Sequence, residues 1–103
     1  MSTENEVAIK VIVELQAKPG KRTELKNLLE SVATTLGPGT PGFLGSVRYE
    51  VLDNPNIVVE IADWASAEVR AQAMQQAMTS GAYAPLEGLL AAPFRATVIK
   101  ALP

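Results

Sequence analysis

The chain contains no cysteine and no histidine. Without cysteine there are no disulfides, no thiolate metal ligands and no Cys nucleophile. Without histidine the commonest general base, the usual zinc ligand, every Ser-His triad and the proximal ligand of most haem sites are gone. No Gly-rich dinucleotide fingerprint follows a strand, so no cofactor and no metal are expected. Aromatic residues are only 5% of the chain, with a single tryptophan. No excess of positive charge exists: 9 Lys and Arg against 11 Asp and Glu give a formal charge of −2. With no basic stripe to meet phosphates, nucleic-acid binding is not expected. Long apolar runs are lacking as well. The run Val7 to Val13 is broken by Lys10 and is far too short to span a bilayer, and Met1 to Glu6 has no positive n-region. A cytoplasmic protein without a membrane contact is the expectation. What is present is 48% apolar residues in 103. That suits one small folded domain over residues 7–103 behind a flexible tail at 1–6.

The periodicity gives the elements. Val7, Ile9, Val11, Val13 and Leu15 alternate with a mixed set through Gln16, a strand with one fully apolar face. Lys18-Pro19-Gly20 ends it, and Pro19 suits the first position of a helix. Leu25, Leu28, Leu29, Val32, Ala33 and Leu36 then recur at three- and four-residue steps, an amphipathic helix. The Gly/Pro run from Gly37 to Gly42 stops it; lacking a Lys-Ser/Thr ending and a preceding strand, it reads as a connection and not a phosphate loop. Phe43 to Leu52 is the second strand, with Phe43, Val47, Tyr49 and Val51 on one parity. Asp53 to Asn56 is a hairpin turn and Ile57 to Trp64 the third strand. Ser66 is a good N-cap for a helix to about Met78, with Val69, Ala73 and Ala77 as a narrow small-residue face between Met74 and Met78. A short extra helix is expected within Ala82 to Ala91, and Phe94 to Leu102 is a fourth strand.

The order β-α-β-β-α-β is that of a ferredoxin-like α+β domain, a four-stranded antiparallel sheet with its helices on one face. Two helices cover only one face of such a sheet. Apolar residues nevertheless occur on both parities, Ile12, Val58 and Ile99 among them. A patch of that kind is normally covered, either by a second copy packed sheet to sheet or by the stems of Lys10, Arg48 and Arg95.

Lys18-Pro19-Gly20-Lys21 before the first helix, Pro41-Gly42-Phe43-Leu44-Gly45 leading into the second strand, Asp53-Asn54-Pro55-Asn56 in the hairpin and Asp63-Trp64-Ala65-Ser66 leading into the second helix resemble the antibiotic biosynthesis monooxygenase (ABM) family. The likeness runs from about Val7 to Leu102. It implies a homodimer joined through the sheet faces, a dimeric α+β barrel. It also implies, for some members, oxidation of polyketide-derived phenols and anthrones to quinones with O2 and no cofactor. Trp64 matches the tryptophan that closes the third strand in many members. The asparagine often found four residues earlier is Glu60 here, and a second-helix histidine of many relatives falls on Ala73. Haem degradation, which needs that histidine, is disfavoured.

Glu60 and Trp64 are the candidate catalytic residues. A mid-strand carboxylate between Val58 and Ala62 must be exposed, paired or functional. In an apolar pocket its pKa would rise and it could deprotonate a phenol or an anthrone carbon. Alternatively it is a cross-strand partner of Lys10 or Arg48. Trp64 either stacks on a small aromatic ligand or plugs the core. Phe43, Tyr49, Arg70, Met74 and Tyr83 are the candidate substrate-binding residues, each with a plain packing or solvated alternative. Two functions remain: a cofactor-independent monooxygenase acting on a planar phenolic or polyketide-like substrate, and a non-catalytic dimeric ligand-binding or sensing protein.

Overall fold

The computed structural model describes residues 7–36 and 39–103. The expected tail at 1–6, and Gly37 and Pro38 of the Gly/Pro run, lie outside the described residues. The elements are β1 (Ile9–Gln16), α1 (Arg22–Leu36), β2 (Phe43–Val51), β3 (Asn54–Trp64), α2 (Ala67–Ser80), a 3-10 turn (Ala84–Gly88) and β4 (Arg95–Ile99). The sheet order is β2-β3-β1-β4 with every neighbouring pair antiparallel. This is the ferredoxin-like β-α-β-β-α-β arrangement that the alternating periodicities anticipate.

The register decides which parity is buried. Val11 stands across from Ala62, Leu15 from Val58 and Ile9 from Trp64, and all six are buried. Both helices pack on this inner face. Leu25 and Leu29 of α1 join Leu15, Ala17, Val58 and Leu86 in one cluster. Val69, Ala73 and Met74 of α2 pack on Ile9, Val11, Ala62 and Trp64 in another. Val58 therefore belongs to the core, not to the uncovered face. A strand residue beside Val11 and Leu15 in the register has no other direction to point. The outer face carries Ile12, Val47, Tyr49, Val59 and Ile61, with Val47 and Tyr49 about half exposed.

Several boundaries differ from the expectations for physical reasons. Pro19 is not helical. It lies in a turn closed by the Lys21 N–H donating to the Lys18 carbonyl at 2.9 Å, and Gly20 has φ +79°. Pro-Gly at the centre of a turn supplies the fixed negative φ and then the positive φ that a type II turn requires, which outcompetes helix initiation. The hairpin turn is Leu52-Asp53, because Val51 already pairs with Asn54; a register shift after Glu50 absorbs the extra residues. α2 runs two residues past Met78 and ends in a left-handed Gly81, whose N–H reaches the Ala77 and Met78 carbonyls. Its other end is capped as expected, the Ser66 hydroxyl accepting from the Val69 N–H at 3.2 Å. β4 is shorter than the alternation suggested, and all five of its residues are exposed.

Candidate functional site

The inner face, α1 and α2 do not meet everywhere. Between them lies a cavity of about 330 Å³. Val11 and Val13 of β1, Ala62 and Trp64 of β3, Leu29, Val32 and Ala33 of α1, and Ala73, Met74 and Ala77 of α2 give it apolar walls. The small Ala73 and Ala77 keep α2 from filling the space that larger residues would occupy. Its volume lies at the lower end of the range for small-molecule sites.

The sequence candidates divide over this geometry. Glu60, Trp64, Phe43, Arg70, Met74 and Tyr83 all line the cavity. Tyr49 does not join them. It lies opposite Val59 on the outer face and is about half exposed. Simple alternation puts Phe43 and Tyr49 on one side. A register shift between Phe43 and Gly45, at a residue with φ +132°, breaks the alternation and sends them to opposite faces. Met78 is 77% exposed and forms no wall. Phe43 instead meets the Trp64 ring edge to face, with centroids 5.1 Å apart and planes at 63°. The α1 wall, and Ser46 and Thr40 beside it, were not anticipated. Ser46 stands across from the buried Ala62, on the parity that the bulge between Phe43 and Gly45 turns inward.

Glu60 points from the centre of β3 into this apolar space. Directly across on β2 is Arg48, whose Nη1 donates to the Glu60 Oε2 at 3.1 Å and to the Ser46 Oγ at 2.9 Å. The cross-strand pair considered from sequence therefore exists, and its partner is Arg48. Lys10 pairs instead with Asp63 at 2.6 Å. The two side chains of the Arg48–Glu60 pair are only 19% and 18% exposed. Burial raises the Glu60 carboxyl above its ordinary value, and the hydrogen bond and charge of Arg48 pull it only partly back. The Tyr83 hydroxyl is also raised, first by burial and then by the charge of Glu60, against a lowering influence from Arg70. Those influences mark Glu60, Tyr83 and Arg70 as one electrostatic group. Among the described residues, no group of three or more carboxylates stands close enough together to hold a metal ion.

A ferredoxin-like sheet with an apolar cavity under its helices, lined by one carboxylate, one indole and one phenol, defines an α+β domain with a cavity of small-molecule size. The sequence model of the antibiotic biosynthesis monooxygenase family matches residues 8–84, and the chain belongs to that family. No curated protein matches the chain in sequence. Among solved structures, SnoaB from Streptomyces nogalater, a cofactor-independent oxygenase, is 18% identical with a TM-score of 0.80, over 94% of this chain and 95% of that one. A conserved protein of Methanosarcina mazei is 22% identical with a TM-score of 0.79, over 93% and 94% of the two chains. A Mycobacterium tuberculosis protein is 22% identical with a TM-score of 0.77, over 93% and 96%. At these identities the structures share the fold.

Proposed function

We propose that the protein is a cofactor-independent monooxygenase that oxidises a planar phenol or anthrone with O2 in the cavity beside Trp64. The observation that carries this reading is the Glu60 carboxylate, raised by burial and aimed into an apolar cavity. A base with a raised pKa is better matched to a weakly acidic phenol or activated carbon. Membership of a family named for monooxygenases, and the likeness to SnoaB, support it further.

The reaction balances without a cofactor. Glu60 takes a proton from the anthrone carbon and leaves a resonance-stabilised carbanion. That anion passes one electron to O2, and the resulting radical and superoxide combine to a carbon-bound peroxide anion. The proton on Glu60 returns to the peroxide. Loss of water, made from the distal oxygen with its proton and the remaining hydrogen of the same carbon as the O–O bond breaks, leaves a new carbonyl. One O2 is consumed, and one oxygen atom ends in the quinone and the other in water. The Trp64 and Phe43 rings suit a flat substrate, and the Tyr83 hydroxyl is the donor suited to steadying a developing oxyanion. In this reading the protein acts in the cytoplasm as a homodimer joined through the outer sheet face.

The Arg48–Glu60 pair favours a second reading, a binding protein in which the carboxylate only satisfies its arginine. Oxygen uptake over a panel of anthrones and naphthols separates the two. The oxygenase reading expects quinone formation with uptake of one O2 per quinone. Binding of the same compounds without uptake overturns it.

A further inference from the structure

Two of the described side chains lining the cavity carry a formal charge, Glu60 and Arg70. They are not equivalent. Glu60 is satisfied by Arg48. Arg70, half-buried in the first turns of α2, has no carboxylate within ion-pairing distance among the described residues. Among the lining side chains the formal charges cancel when Glu60 is ionised and leave one positive unit when it is protonated; Arg48, outside the lining, is shared between Glu60 and Glu30. Arg70 is thus the charged lining side chain left without a carboxylate partner among the described residues. Water meets the Arg70 guanidinium while the cavity is open to solvent. A ligand that expels that water must replace its hydrogen bonds or leave a buried donor set unmet. A neutral planar ligand cannot replace them well. A carboxylate can, because its two oxygens match the guanidinium fork.

We propose that the natural ligand of this cavity is an aromatic carboxylic acid whose carboxylate pairs with Arg70. The inference rests on the cavity being the ligand site and narrows what that site accepts. Arg70 stands on the helical wall and Glu60 on the sheet wall. A substrate anchored at Arg70 therefore offers its far edge to Glu60, and Arg70 fixes which ring position reacts. The carboxylate bound at Arg70 takes no part in the chemical step. It supplies orientation and a charge partner that a hydrocarbon or a simple naphthol lacks.

The test uses 1-hydroxy-2-naphthoate and its neutral carboxamide as probes. Affinity is read by calorimetry, and site occupancy by the shift of the single indole N–H resonance, since Trp64 is the only tryptophan. The acid should bind wild-type protein about ten- to a hundredfold more tightly than the amide, the range of a charge-assisted hydrogen-bonded pair. Arg70→Gln should remove the preference and Arg70→Lys should keep part of it. If acid and amide bind equally while both shift the Trp64 resonance, the anion inference falls and the cavity stands. A preference that persists in Arg70→Gln has the same meaning. If neither probe moves the Trp64 resonance, the cavity reading falls and takes this inference with it.

Discussion

Gly42, in the loop before β2, lies close against α2, and replacing it with alanine should be a costly single-methyl change. A Cβ there would lie 2.5 Å from the Val69 Cγ2, 3.0 Å from its Cβ and 3.3 Å from its Cγ1. Val69 cannot swing aside, because a β-branched side chain in a helix has one favoured rotamer. The backbone cannot retreat freely either: the Gly42 carbonyl accepts from the Ala65 N–H at 2.8 Å just before α2 begins. Gly42 also has φ +83°, which costs a residue with a Cβ about 1–2 kcal/mol. Overpacking adds about 1–3 kcal/mol. Gly42→Ala should therefore destabilise by about 2–5 kcal/mol, lowering Tm by on the order of 10–30 °C in a chain of this size. Urea and thermal unfolding measure it. Gly20→Ala is the control, since φ is +79° there but nothing lies within 4 Å of an added Cβ; it should show the backbone cost alone. Adding Val69→Ala to Gly42→Ala should recover the overpacking share, seen as favourable coupling in the double-mutant cycle. A Gly42→Ala protein as stable as Gly20→Ala would refute the close-approach argument.

Two other outcomes follow from the same geometry. The Glu60 carboxyl is raised in the folded protein above its ordinary value of 4.5, so the folded state holds a proton that the unfolded chain has lost at pH values between the two. Its contribution to stability is complete below 4.5 and falls as pH rises through the folded pKa. The stability of wild type minus that of Glu60→Gln should therefore decrease with pH across that window in urea titrations, and parallel curves would contradict the desolvation argument. The outer face, with Val47 and Tyr49 about half exposed beside Ile12, Val59 and Ile61, should hold two copies together. Light scattering at micromolar protein should give twice the chain mass and Val47→Glu the single mass; a monomeric wild type would refute the interface.

The sheet and both helices were legible because their signals are long and single-period: the alternation in Val7–Leu15 and the three-four spacing in Leu25–Leu36 each admit one reading. Most of the site was legible for the same reason, as Glu60, Ala62 and Trp64 share a parity with the buried Val58. Legibility failed where one residue interrupts the period. Gly45 turns β2 over, so Phe43 reaches Trp64 while Tyr49 faces outward. A bulge needs only one permissive residue and leaves no mark on composition. The identity of the Glu60 partner was equally hidden, because β1 and β2 both flank β3 and only the register sets Arg48 across from Glu60 while Lys10 stands across from Asp63. The α1 wall of the cavity was invisible for a different reason: helix periodicity says which face is buried, not what fails to touch it.

The central claim, that Glu60 is the base of an oxygenase, is tested most directly by the pH dependence of kcat/KM for oxygen uptake with an anthrone. Wild type should show an acidic limb, with activity rising as Glu60 loses its proton, and the limb should lie above the ordinary carboxylate range because burial raises this group. Arg48→Met removes the hydrogen bond and charge that lower the pKa, so its limb should move to higher pH. Glu60→Gln should lose the limb and about 10²–10⁴-fold in rate, the usual worth of a general base. Full activity in Glu60→Gln, with the limb unmoved, would contradict the account and leave Glu60 as the structural partner of Arg48.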